Sequence, residues 1–258
     1  MENLVENISK SVAIELLFEE MPTRPTANAI FREARKIFGD INIINRDEND
    51  IEFSVDKFVA YNEDNTTSPV VLAMGNITDF DDKVAVSEFE RTQIWNVANS
   101  EELLSKYKYA VKIWDVNAQR QIPKERAIML VDWLNVALKL YPKCQAIWIK
   151  SAGKLQLAQS IKNLKETGIV KYLYSMVNIR FFNVPNTNEF IVDSVGLANI
   201  GLSDVQFHFK GMNPNKIANL AYSLARYILN NDDIMIKDGD TIDGMNDEAN
   251  DTRSSMDL

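Results

Sequence analysis

His208 is the single histidine of the chain, and the residues around it are spaced as a strand: Asp204, Gln206, His208 and Lys210 alternate with Val205, Phe207 and Phe209. Successive side chains of a strand point to opposite faces. The alternation therefore gathers a carboxylate, an amide and the only group that ordinarily titrates near neutrality on one polar face. Asp193, on the neighbouring segment Glu189 to Val195, falls near that face. Side chains of these types offer general acid–base transfer or hydrogen-bonded capture of a small polar ligand. Asp193, Asp204, Gln206 and His208 are thus a candidate polar cluster, and a hydrogen-bonded structural or surface histidine accounts for the same residues.

A second candidate is Asp238-Gly239-Asp240-Thr241-Ile242-Asp243-Gly244, where acidic oxygens recur as in a calcium loop. The register of such a loop is not kept. Counted from Asp238, Ile242 falls on a ligand position, Asp243 on the position that needs glycine, and Ala249 on the bidentate glutamate. Asp238, Asp240 and Asp243 are therefore expected to form a hydrogen-bonded acidic turn, with no metal and no cofactor. Ser151-Ala152-Gly153-Lys154 sets a hydroxyl and an ammonium close together, but no general base accompanies them. Gly196, Gly201 and Gly211 keep neither the Walker spacing nor GxGxxG, and are expected to serve turns.

Composition narrows the classes further. One cysteine, Cys144, makes no internal disulfide, and with His208 it is too little for a Cys/His zinc site. A formal charge of −9 opposes a sequence-independent grip on nucleic acid, which depends on Lys and Arg neutralising phosphates. The first 21 residues lack a basic n-region and are interspersed with glutamates, so no signal peptide is expected. The most apolar long stretch, 126–141, is interrupted by Asp132, Asn135 and Lys139, so no membrane span is expected either. A reducing, cytoplasmic setting fits best.

Several elements must position these residues. Ala13 to Phe18 reads as a strand; Thr26 caps a helix whose apolar residues Ala27, Ile30, Phe31, Ala34, Ile37 and Phe38 recur at helical spacing, and Gly39 ends it. Ile51, Phe53 and Val55 alternate with polar residues, with a register shift expected near Lys57; a turn at 63–68 and a strand at 69–74 complete a hairpin. Val86 to Trp95 is expected to be helical, Tyr109 to Val116 a strand, and Pro123 to open a helix buried between two layers that Pro142 ends. Ala146 to Ile149 reads as a short buried strand, and Leu155 to Thr167 as a helix stopped by Gly168. Ile179 to Val184 and Glu189 to Val195 flank a Pro185–Asn188 turn, and Asn213 caps a helix begun by Pro214. That helix buries Ile217, Leu220, Ala221, Leu224 and Ile228. A last strand is expected at 234–236. Trp95, Trp114, Trp133 and Trp148 fall within expected elements and are expected to pack in the core.

This order predicts an α+β fold, a mostly antiparallel sheet with helices packed on it. Two ferredoxin-like units fused side by side and one larger fused sheet both satisfy it. The division expected is an N-terminal unit over 1–118, a C-terminal unit over 119–244 and a disordered acidic tail over 245–258.

Asp193-Ser194-Val195-Gly196-Leu197, Gly201-Leu202-Ser203-Asp204, Gln206, His208-Phe209 and Gly239-Asp240-Thr241-Ile242 together resemble the bacterial family known as domain of unknown function 4261. Ser194 and Ser203 stand where that family usually has Thr and Pro. The resemblance implies a fold unit and brings no activity, cofactor or catalytic residue. The expectation for function is a non-enzymatic protein-interaction module whose acidic surface meets a protein partner, in an immunity-type or stress-associated role, with a homodimer compatible. The alternative is a small-molecule enzyme built on the carboxylate and histidine cluster.

Overall fold

Ile14, Leu16 and Phe18 point to one side of the first strand and Leu17 to the other, all buried, as a strand covered on both faces requires. In the computed structural model, which describes residues 11–47, 49–64 and 66–231, this strand (β1, Ala13–Phe18) lies inside a seven-stranded sheet. Its other members are β2 (Ile41–Arg46), β3 (Ile51–Tyr61), β4 (Thr67–Asp79), β5 (Tyr109–Val116), β6 (Ala146–Ile149) and β7 (Lys154–Leu157). The order is β2-β3-β4-β5-β1-β6-β7, and each neighbouring pair is antiparallel. β6 and β7 join through β1, so residues on both sides of position 118 share this sheet. The expected register shift in β3 is present, between Val55 and Val59.

Helices cover both faces. On one lie α1 (Ala27–Phe38) and α5 (Pro123–Leu140), whose buried residues interlock with Ile14, Leu16, Phe53 and Leu72 of the sheet. Thr26 accepts from the Ala29 N–H and Gly39, at φ 77°, ends α1 as its sequence predicts. α5 is buried on most sides because α7 (Gly168–Met176) packs over it. On the opposite face the segment α2 (Asp82–Ala85), α3 (Glu88–Thr92) and α4 (Ser100–Lys106) closes a second core around Leu17, Trp148 and Leu155.

Three further strands, β8 (Asn178–Asn183), β9 (Glu189–Val195) and β10 (Gln206–Lys210), form a separate antiparallel sheet in the order β10-β9-β8. α8 (Pro214–Asn230) lays Ile217 and Ala221 against Val192 and Phe209 of this sheet, while Ala225 and Leu229 reach the main core. The fold is α+β, with mostly antiparallel sheets.

Three local expectations are corrected. The stretch 155–167 is not one helix ended by Gly168: it completes β7 and then makes α6 (Ala158–Asn163), and Gly168 opens α7. Leu157, Ile161 and Leu164 keep helical spacing while Leu155 and Leu157 alternate as in a strand, and pairing with β6 decides for a strand over 154–157. The helix expected over 86–95 is broken at Ser87, whose hydroxyl and the Glu90 carboxylate form a capping box and turn Val86 into the second core. Trp95 is exposed, whereas Trp133 and Trp148 are fully buried. The strand expected at 234–236 and the tail 245–258 lie outside the described residues.

Candidate functional site

The three-stranded sheet has two unlike faces because each strand alternates. Phe181, Phe190, Val192 and Phe209 turn to α8, and the opposite, outer face carries polar groups in cross-strand rows. Arg180, Asp193 and Gln206 stand in one row; Phe182, Ile191 and His208 stand in the next. The Arg180 guanidinium donates from Nε to Asp193 Oδ1 at 2.8 Å and from Nη2 to Oδ2 at 2.5 Å, a two-pronged ion pair. It also lies 5.2 Å from the centroid of the Phe182 ring. His208 Nε2 is 2.9 Å from Glu189 Oε2, with its imidazole open to solvent. Asp193, Gln206 and His208 thus share a face.

Asp204 does not join them. It precedes β10, and its carboxylate folds back over residues 196–198: Oδ1 accepts from Ser194 Oγ at 2.8 Å and from the Leu197 N–H at 3.0 Å, and Oδ2 from the Gly196 and Ala198 N–H groups, each at 3.3 Å. Ser194 Oγ in turn accepts the Val205 N–H. This is a capping arrangement for a 3-10 turn at Ala198–Ile200, whose donors would otherwise be orphaned. Gly196 serves a close approach. At φ 135° a β-carbon there would lie 2.6 Å from the Met176 carbonyl oxygen, so its role is packing of the turn against the end of α7.

The pairing on the outer face leaves few free lone pairs for proton transfer. Asp193 spends both oxygens on Arg180, and the described residues place no nucleophile beside the imidazole. Among the described residues, no group of three or more His, Cys, Asp and Glu side chains is placed to hold a metal ion. Asp238, Asp240 and Asp243 lie outside the described residues.

The Ser151 and Lys154 groups separate. Ser151 is exposed, while Lys154 runs inward and donates from Nζ to the Val177 carbonyl, at the C-terminal end of α7, at 2.5 Å. Burial pushes this ammonium down from its ordinary value to about 7. Tyr172, also buried, donates its hydroxyl to the Gly196 carbonyl at 2.8 Å, and burial pushes its phenol up. A buried ion pair joins β5 to α5: Arg126 Nε donates to Asp115 Oδ2 at 2.8 Å, and Asp115 Oδ1 accepts the Val12 N–H at 2.5 Å.

A cleft of about 520 Å³ opens elsewhere, between the β3–β4 turn and the loop before α5. It is lined by Asn62, Glu63, Asp64, Gln119 and Arg120, and Arg120 pairs with Glu63 across it. None of Asp193, Asp204, Gln206 and His208 lines it.

Arg180, Glu189 and Phe182 were not among the side chains the sequence singles out, although a signal existed. A four-residue turn between strands at 179–184 and 189–195 sets Arg180 opposite Asp193 once the hairpin is assumed. Nothing local could place Phe89, which stacks on Phe182 with ring centroids 6.0 Å apart and planes 8° from parallel.

With this geometry in place, comparison with known proteins adds one finding. Residues 193–253 match the family model described as Domain of unknown function (DUF4261). Within the described residues the match covers the end of β9, the turn capped by Asp204, β10 and α8. No curated protein and no solved structure matches the chain. No helix among the described residues is long and apolar enough to cross a membrane.

Proposed function

We propose that this chain is a non-enzymatic protein-interaction module of the bacterial cytoplasm, of an immunity-type or stress-associated kind, working through its acidic surface. The observation that supports this reading is how the candidate side chains are used. Acid–base catalysis needs groups that converge on a cavity with lone pairs or protons to spare. Asp193 is instead held in a half-buried ion pair by Arg180, His208 meets Glu189 at the solvent boundary, and Asp204 is committed to backbone N–H groups. Charged groups fixed by neighbours beside apolar ones suit recognition, because they present a defined charge pattern without reorganising.

The test is affinity purification of the full chain from cells that express it naturally. One protein partner recovered in constant stoichiometry, and lost with His208→Asp while the variant keeps its thermal stability, supports the reading. A copurifying metabolite that disappears with His208→Gln or Asp193→Asn, with no protein partner, refutes it in favour of a small-molecule enzyme.

A further inference from the structure

We infer that the surface formed by Val84, Phe89 and Trp95 docks a basic, amphipathic segment of a protein partner; this rests on the interaction reading above and assigns it a surface and a partner chemistry. These three side chains are 80%, 56% and 45% exposed, although they stand within twelve residues of one another. Single exposed apolar residues need no explanation, but three large ones on one segment of twelve residues, one of them stacked on an aromatic ring of the second sheet, set this segment apart. Their frame is fixed. Val86, Ile94 and Val97, interleaved with them, anchor the segment in the second core. Arg91 then ties its helices together, donating to the Asp82 carboxylate at 2.9 Å, the Val86 carbonyl at 3.2 Å and the Glu101 carboxylate at 2.7 Å.

The surface continues onto the second sheet. Phe89 stacks on Phe182, and the Arg180 guanidinium covers the Phe182 ring, so an apolar strip from α3 meets the outer face of β8. Charge then selects the partner. Residues 79–102 carry seven Asp and Glu side chains against only Lys83 and Arg91, a formal −5 within a chain of −9. Arg91 is already committed to Asp82 and Glu101, which leaves exposed Asp79, Asp81 and Glu88, against exposed Lys83, to set an acidic field on this segment. Such a field attracts lysine and arginine and repels anionic lipid or nucleic acid. A helix with an apolar stripe and flanking basic residues satisfies both features at once.

The experiment uses the full chain and a fluorescently labelled 18-residue amphipathic peptide with leucine and phenylalanine on one face and lysine on the other. Fluorescence anisotropy is read beside a twin peptide with glutamate for lysine and another with serine for the apolar residues. The expected result is binding of the lysine peptide alone, accompanied by protection of Trp95 from acrylamide quenching. Phe89→Asp and Val84→Asp should each weaken it about tenfold, Glu88→Lys about threefold, and Ile44→Asp, on β2 at the far edge of the larger sheet, should leave it unchanged. Val84, 80% exposed, has no core role, so that variant keeps the test valid if Phe89→Asp unfolds. Absence of binding, equal binding of the glutamate peptide, or affinities within twofold for both the Val84 and Glu88 variants overturns the inference. A native partner retained by Val84→Asp and Glu88→Lys overturns this surface while leaving the interaction reading intact; a metabolite in place of any partner overturns that reading by itself.

Discussion

Replacing Lys154 by methionine should stabilise this protein at neutral pH, and the gain should vanish as the pH rises to 10. Lys154 begins β7 and is 9% exposed. Its Nζ donates to the Val177 carbonyl, and burial pushes the ammonium from about 10.5 down to about 7. The unfolded chain therefore binds more protons than the folded chain between those values, so stability rises with pH from 7 to 10.5 and is flat below 7, where both states are protonated. A displacement of that size corresponds to at most about 5 kcal/mol, at about 1.4 kcal/mol per pH unit. The carbonyl end of α7 favours a cation and returns up to about 2 kcal/mol, and the lost hydrogen bond subtracts about 1 kcal/mol more. Methionine keeps the stem's volume without the charge, so Lys154→Met should be about 2 kcal/mol more stable at pH 7 and equal or slightly less stable above pH 10. Urea unfolding of both chains at pH 6, 7, 8, 9 and 10, followed by tryptophan fluorescence, gives the difference directly, and titrations common to both cancel. Parallel curves across pH 7 to 10 would refute the reasoning, because they would mean that the ammonium is not buried in the folded state.

Three further outcomes follow from the same packing. Arg126→Met leaves the Asp115 carboxylate buried without its cation and should cost about 3–5 kcal/mol in urea unfolding; Asp115→Leu combined with it should recover most of that loss. Gly196→Ala forces a β-carbon onto the Met176 carbonyl at a positive φ and should lower stability by about 2–4 kcal/mol or prevent folding, read from the thermal midpoint and soluble yield. Asp204→Ala removes the acceptor for the Ser194 hydroxyl and three backbone N–H groups, and should cost about 2–3 kcal/mol. Hydrogen exchange should then accelerate at residues 196–198 while the amides of β5 stay protected.

The limits of pattern reading are visible in particular elements. β1 and β6 announce themselves because each is a short, mostly apolar run, β5 because its apolar residues recur around Lys112 and Asp115, and α1 and α8 because Thr26 and Asn213 cap a clear helical stripe. β2 is hidden: a bulge between Ile43 and Asn45 breaks its alternation, and it is an edge strand with few buried positions. β7 and α6 read as one helix because Leu157, Ile161 and Leu164 keep helical spacing, and a four-residue strand is defined only by the neighbour it pairs with. Trp95 was expected inside because aromatic residues usually are, yet the turn after α3 leaves it outside. The candidate cluster was half legible. Gln206 and His208 share a face by strand period, and pairing of β10 with β9 sets Asp193 beside them, whereas the carboxylate of Asp204 went to backbone donors that exist only once the 196–198 turn has formed.

Local information therefore settled the class of fold, the hairpin at Pro185–Asn188, both ends of α1, the starts of α5 and α8, and the acidic balance, since each depends on residues within one turn or one strand of each other. Tertiary structure alone decided that Asp204 would be committed to the 196–198 backbone, that Lys154 would be buried against the end of α7, and that Phe89 would stack on Phe182. Those outcomes depend on which distant segments share a surface. Burial and charge pairing are set by such long-range neighbours, and no periodicity in the chain encodes them.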